Sequence, residues 1–337
     1  MILALVAEAQ AANVRLAPAC RALGLCARTV ERWRSEPTHE DRRRGPHQKP
    51  PNALTEAENS QVLEILTSAR YAGLSPKQLV PQLADEGLFL ASESTMYRAQ
   101  RMHGLRAALR PITRSHVTRA SILHKATGPN QVWSWDITWL PKDIRGKYFY
   151  LYLVMDVWSR RIVGWTISDT EAPKTSAALV TRICRESGID PNGLVLHADN
   201  GSAMRGQTMV ATLQKLGIIP SFSRPHVSDD NAYSEALFRT LKYAPAYPRR
   251  PFSDLASADV WMTRFAAWYN GVHRHSGIRF VTPDERHFGR EAQVLAKRDA
   301  LYQGARTANP ERWTTHTRNW SPIGDVTLNP QLDRAAA

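Results

Sequence analysis

Cysteine is scarce, with only 3 in 337 residues (Cys20, Cys26 and Cys184). Their number and spacing suit neither a disulfide framework nor a zinc site, which predicts a reducing compartment and a fold held by core burial. No stretch approaches the ~20 apolar residues of a membrane span, so no membrane partner is expected. The apolar opening MILALVAEAQ lacks a basic leader and reads as a helix rather than a secretion signal. No heptad pattern is long enough for a coiled coil. Acid is the minority charge: 31 Asp and Glu stand against 44 Lys and Arg, a formal net charge of +13. That excess is heaviest towards the N-terminal end and points to a polyanionic partner.

Length predicts two or three domains. Residues 1–35 read as a first helix-turn-helix. One helix carries Leu16, Ala19, Cys20 and Leu23 and stops at Gly24, and a second turns Val30 and Trp33 inward. Arg28, Thr29 and Arg32 then fall on the outer side, where such a helix meets a DNA groove. Residues 36–54 are Pro-rich and basic and read as a linker. Its run Arg42, Arg43 and Arg44 suits either phosphate contact or plain solubility. Residues 55–104 predict a second helix-turn-helix, with Ser75 and Ser92 as caps, Pro76 at a first helical position and Gly87 as a stop. Pro81 is expected to bend or shorten its helix. Thr95, Arg98 and Arg101 are the candidate DNA contacts there. Residues 105–130, including Arg114, carry no acid and read as a basic connector suited to the DNA backbone.

From Gln131 the pattern changes. VWSWDITWL, YFYLYLVMDVWSR and RIVGWTIS alternate as strands, followed by a helix, the buried strand GLVLHAD, a helix, the strand IIPSFS and a helix over 232–242. The order β-β-β-α-β-α-β-α predicts a ribonuclease-H-like α/β core over residues 131–250 with a mixed five-stranded sheet. Residues 251–337 predict a helical C-terminal extension. Its first helix should bury Val260, Trp261, Phe265 and Trp268, and Arg274 in the following turn is a candidate phosphate contact. The whole is a multidomain chain, all-α at its start and α/β at its centre.

Three acids stand out in that core. In this strand order Asp136 lies on the central strand, Asp199 at the tip of its parallel neighbour, and Glu235 in the last helix. Carboxylate oxygen suits hard divalent cations, and two such ions serve in-line displacement at phosphorus. Asp229 and Asp230 are rival ligands, and Asp156 reads as a structural acid. At helical spacing, Asn231, Glu235, Arg239 and Lys242 would share one face. His197, Asn200 and Asn231 are expected to support the acids.

The motifs WSWDIT, YLVMDVWSRRIVGW, LHADNGS, LGIIPSFSRPHVSDDNAYSEALFRTLKY and FAAWYNGVHRHSGIRFVTP resemble the insertion-sequence-three family of bacterial transposases and, more distantly, retroviral integrase cores. The resemblance implies that Asp136, Asp199 and Glu235 are a catalytic, metal-binding triad holding two Mg²⁺ ions, or Mn²⁺, with Arg239 and Lys242 as basic positions beyond the glutamate. It implies metal-dependent cleavage and strand transfer on double-stranded DNA (terminal inverted repeats and target), by at least a dimer, in the bacterial cytoplasm at the nucleoid. An upstream reading-frame product is a further candidate partner. A regulator with an inert core and a nuclease that cuts without joining are the alternatives.

Overall fold

The computed structural model describes residues 2–35, 50, 52–71, 73–105, 124–224, 228–244 and 246–328. The run Arg42–Arg44 and Arg114 lie outside the described residues. The chain divides into two compact units, residues 1–53 and 54–337.

The first unit is a three-helix cluster of α1 (Ile2–Ala11), α2 (Leu16–Ala22) and α3 (Ala27–Ser35) around Val6, Cys20 and Val30. Gly24, at φ +66°, closes α2. The Leu25 amide donates to the Cys20 carbonyl and the Gly24 amide to that of Arg21, which is the pairing of a Schellman closure. This corrects one expectation. Leu23 is exposed, because the left-handed turn at Gly24 folds Leu25 back over Cys20 instead. Val30 is buried and Trp33 only half-buried, while Arg28 and Arg32 are exposed.

The second unit begins with α4 (Glu56–Thr67), α5 (Pro76–Asp85) and α6 (Glu93–Met102). Thr55 and Glu58 cap α4 reciprocally, and Ser92 caps α6 through the Thr95 amide. Pro81 sits inside α5 without ending it, and it is buried with Leu79, Val80 and Leu83. Next come β1 (His124–Ala126), β2 (Val132–Pro141), β3 (Tyr148–Asp156), β4 (Ile162–Ser168), α7 (Pro173–Ser187) and β5 (Val195–Ala198). They are followed by α8 (Ser202–Arg205), α9 (Gln207–Leu216), β6 (Ile219–Phe222), α10 (Ala232–Tyr243) and α11 (Leu255–Gly271). The chain finishes with α12 (Pro283–His287), α13 (Glu291–Ala308) and β7 (Val326–Leu328), which pairs antiparallel with β1.

The central sheet is mixed and five-stranded, in the order β4-β3-β2-β5-β6. The hairpins β2–β3 and β3–β4 are antiparallel; β2–β5 and β5–β6 are parallel. Strand alternation decides the layers. Trp133, Trp135, Tyr152 and Val154 face α7 and α9. Leu140, Leu151, Leu153 and Met155 face α10 and α11. Asp156, fully buried, ties the β3–β4 turn by accepting from the Asn130 amide and from both the amide and hydroxyl of Ser159. The buried stripe of α11 is Ala258, Met262, Phe265, Ala266 and Tyr269. Val260, expected inside, is exposed, because the apolar face is centred on Met262 and Phe265.

The second helical segment and the C-terminal extension share one core. Leu79, Leu83 and Met96 pack with Ile278, Val281, Leu295, Tyr302 and Trp320. Arg298, fully buried, donates through Nε and Nη2 to Asp85 at 2.6 and 2.9 Å. Asp85 also receives Arg274 at 2.6 Å. Arg274 was expected on phosphate; it is instead largely buried in this ion pair, because Asp85 at the end of α5 supplies a nearer anion.

Removing Asp85 strands a buried guanidinium, which costs on the order of 3 kcal/mol. Asp85→Ala is expected to lower the denaturant midpoint of residues 54–337 accordingly in an equilibrium unfolding experiment. Asp85→Asn should cost less, since it still accepts one hydrogen bond.

Candidate active site

Register brings the first two acids together. In the parallel pair, Val132 lies opposite Val195, Trp133 opposite Leu196 and Ser134 opposite His197. The same offset carried two residues further sets Asp136 level with Asp199, which directly follows β5. Neighbouring strands are about 4.8 Å apart, so side chains on adjacent rungs feel each other strongly. Asp136 accepts a hydrogen bond from the Ile137 amide at 2.7 Å. Burial, joined by the charges of Asp199, Glu235 and Glu171, pushes its carboxyl up to about 7 despite that bond.

Glu235 lies in the first turn of α10, exposed, at a helix end where a carboxylate is favoured. The start of α10 is clamped to β2. The Ser134 hydroxyl donates to Asn231 Oδ1 at 2.6 Å, and Asn231 Nδ2 donates to the Trp135 carbonyl at 3.2 Å. Ser134 and Ser234 share a further bond of 2.6 Å. The residues flanking Asp136 on the strand therefore fix the position of Glu235. Asn231 is fully buried, so the expected four-residue face needs correcting. Asn231 is the N-cap, with non-helical φ −116° and ψ 38°, and helical spacing does not extend to it. Glu235, Arg239 and Lys242 do share the exposed face, opposite the buried Ser234, Leu237, Phe238 and Leu241.

His197 is buried and bridges three elements. Its Nε2–H donates to the Asp230 carbonyl at 3.0 Å, leaving Nδ1 to accept from the Ser221 hydroxyl at 2.9 Å. His124 Nε2 lies 2.9 Å from the same hydroxyl. Burial pushes His197 below the usual histidine range, so the neutral ring acts as a brace behind Asp199. Asn200 donates to the Ser223 carbonyl and ties the ends of β5 and β6 together. Of the rival ligands, Asp230 is held by Arg224 through a bidentate pair at 2.6 and 2.8 Å. The Arg224 guanidinium holds it below the usual carboxylate range. The side chain of Asp229 lies outside the described residues.

Two participants escape sequence reasoning. The Ser223 hydroxyl donates to Asp199 Oδ1 at 2.7 Å and so aims that carboxylate. Glu171, in the loop between β4 and α7, adds a fourth negative charge near Asp136. Its neighbours are pinned by Tyr152, whose hydroxyl accepts from the Ala172 amide and donates to the Thr170 carbonyl. Both contacts cross the sheet, and no local motif signals them.

The donor chemistry fits a hard divalent cation. It consists of carboxylates that repel one another, two of them, Asp136 and Asp199, held by hydrogen bonds from Ile137 and Ser223. Among the described residues, no three His, Cys, Asp or Glu side chains converge closely enough to enclose a metal ion. The acids are near enough to interact but are not drawn into a cage. Arg28, Thr29 and Arg32 on α3 belong to the other compact unit. On α6, Arg98 donates to Thr95, which also bonds Ser92, while Arg101 is exposed.

Residues 126–228 match the integrase core domain family, and residues 216–283 match a second integrase core domain model. The chain is 32% identical over 164 residues to the transposase for insertion sequence element IS904 of Lactococcus lactis subsp. lactis (strain IL1403), covering 48% of this chain and 63% of that protein. It is 29% identical over 161 residues to the transposase InsF for insertion sequence IS3A of Escherichia coli (strain K12), covering 48% and 54%. With the InsF transposase for IS3fB of the same strain it shares 27% over 238 residues, covering 67% and 81%. The chain thus spans less than two thirds of the length of the first two relatives. Among solved structures, it is similar to a chain of the simian T-cell lymphotropic virus intasome in complex with PP2A regulatory subunit B56 gamma. There the identity is 18% and the TM-score 0.41, over 63% of this chain and 74% of that one. The HTLV-2 integrase catalytic core domain in complex with magnesium gives 16% and 0.35, over 48% and 97%.

Two outcomes follow from the geometry. The folded state prefers Asp136 protonated, so its charge costs nothing below pH ~4, costs progressively more up to pH ~7 and its full amount above. Asp136→Asn is therefore expected to raise the Tm of metal-free protein at pH 8 by roughly 5 °C, with the gain vanishing at pH 4. Ser223→Ala is expected to weaken divalent-cation binding about 10-fold in a calorimetric titration, and Ser223→Thr to restore it.

Proposed function

We propose that this chain, a relative of the insertion-sequence-three transposases that carries their integrase core domain, is a DNA transposase that binds the ends of its element and cuts and joins DNA strands there. One observation carries the reading. The β2–β5 register sets Asp136 level with Asp199, and the Asn231–Ser134–Ser234 clamp brings the start of α10, with Glu235, to the same strand.

Asp136, Asp199 and Glu235 would hold two Mg²⁺ or Mn²⁺ ions. Bound metal would supply activation of the attacking oxygen and stabilisation of the leaving one. The chain's own groups prepare for this. Ser223 aims Asp199, His197 stays neutral behind it, and the β2–α10 clamp positions the helix that carries Glu235. Water and then a DNA 3′-hydroxyl would attack phosphorus in line, with no covalent protein intermediate. Arg239 and Lys242, on the exposed face with Glu235, suit the phosphates leading away from the site.

The helices supply recognition. We read α2 and α3 as a helix-turn-helix with Arg28, Thr29 and Arg32 offered to the terminal repeat, and α5 and α6 as a second, with Arg98 and Arg101 outermost. The tight closure at Gly24 and the exposure of Arg28 and Arg32 support the first. Arg42, Arg43, Arg44 and Arg114 would add sequence-independent phosphate contact. Joining two ends requires at least a dimer, and an upstream reading-frame product is a candidate partner. Among the described residues, no helix is long and apolar enough to cross a membrane; the proposed setting is the nucleoid of a bacterial cytoplasm.

Labelled terminal-repeat DNA incubated with protein and Mg²⁺ tests this. Joined products from the wild type, reduced at least ~1,000-fold by Asp199→Asn and by Glu235→Gln, are expected. Nicks without joining would identify a nuclease, and binding without chemistry a regulator.

A further inference from the structure

The β2–β3 hairpin has a feature the triad does not use. Strand β2 has ten residues and β5 only four, so β5 pairs with Val132–Ser134 alone. Beyond β5, β2 pairs with β3 out to Pro141 opposite Tyr148, and the Phe252 amide takes up the other edge at Pro141. Past the acids the sheet is three strands wide, with β4 pairing β3 as far as Ser168 opposite Tyr150, and only the tip of the β2–β3 hairpin extends beyond it. Its inner tryptophans, Trp133 and Trp135, are covered by helices at 0% and 2% exposure. Trp139 continues the same alternation, yet it is 59% exposed. Tyr148 lies beside it, 42% exposed, with ring centroids 5.7 Å apart and planes 36° apart. A Trp–Tyr pair left largely in water is an expensive use of apolar surface unless something covers it.

The surrounding charge says what covers it. Lys142 is already paired with Asp169 and lies over the Phe149 ring. Arg145 and Lys147, at the tip, are exposed, and among the described residues neither pairs with a carboxylate. Two cations beside two open aromatic faces suit a nucleic acid strand, with phosphates against the cations and bases on the rings. A paired duplex hides the faces of its bases, whereas an unpaired nucleotide offers one. Trp139 is three residues from Asp136, roughly 10 Å along the strand and on the opposite face of the sheet. Between the end of β5 and the Phe252 contact, the edge of β2 at Ile137–Leu140 pairs with no strand among the described residues, which gives a DNA strand a way round.

We propose that the β2–β3 hairpin tip, through Trp139, Tyr148, Arg145 and Lys147, is a stacking site for unpaired nucleotides flanking the scissile phosphate. The inference rests on the transposase reading and adds a subsite to it. It predicts that the protein favours an element end whose flank is single-stranded over one that is paired throughout.

Binding of the two end DNAs by full-length protein, followed by fluorescence anisotropy with Ca²⁺ in place of Mg²⁺, tests the site. The wild type is expected to favour the single-stranded flank about 10-fold. The double variant Trp139→Ala/Tyr148→Ala should lose that preference while keeping its paired-end affinity and its Tm, and Trp139→Phe should retain most of it. Arg145→Glu/Lys147→Glu should weaken binding to both DNAs and flatten the salt dependence. Three results would overturn the proposal. The first is a wild type that binds both end DNAs without preferring the open flank. The second is an aromatic double variant that keeps the preference. The third is a variant that loses self-association in light scattering while its DNA discrimination is intact, which would assign the patch to a second copy of the chain. A wild type that binds neither DNA would bring down the transposase reading together with this one.

Discussion

Carboxylates held close together in a half-buried place repel one another, and the rest of the core is arranged so that they stay there. The cost appears at Asp136, whose carboxyl resists ionisation until about pH 7. Nothing local would keep such a group in place. It is held because β2 is the middle strand of the sheet, hydrogen-bonded along its length to β3 and at its start to β5. Large apolar layers on both faces outweigh one unfavourable charge, at ~25 cal/mol per Å² buried. A fold that stores repulsion at one point is poised for a counter-charge there.

Polar side chains behind the acids do a second job. Ser134 with Asn231 and Ser234 forms one hydrogen-bonded set, and Ser221 with the buried His197 and the half-buried His124 forms another. Buried polar groups of this kind are tolerated only when paired. Each set has only a few acceptable geometries, so strand-to-helix spacing is fixed more tightly than apolar packing alone would fix it. The carboxylates inherit that precision.

How far the sequence foretold this depends on the range of each interaction. Strand alternation is local, and the five strands and their mixed order were legible from it. Capping is local too, so Ser75 and Ser92 mark true helix starts. One error came from a local turn, and the others arose where a distant neighbour decides. Leu23 and Leu25 compete for one apolar slot, and the left-handed turn at Gly24 settles it. Asn231 has helical spacing to Glu235 but sits one residue before the helix, where its side chain turns inward to β2. Arg274 looks free for phosphate until α5 brings Asp85 beside it. Ser223 touches Asp199 across 24 positions, and Trp139 continues a buried pattern whose cover has ended with β5.

The shared core of α4–α6 and α13 bears on how the chain is made. Leu79, Leu83 and Met96 bury themselves against Ile278, Leu295 and Trp320, about two hundred residues later. At ordinary translation speeds of ~5–20 residues per second, the early helices wait on the order of 10–40 s for their partner to leave the ribosome. During that interval their apolar faces are open to chaperones and proteases. A product cut short before α13 would keep the central five-stranded sheet yet leave those faces without Leu295, Tyr302 and Trp320, so premature termination would be recognised by quality control even when every acid of the site had been synthesised.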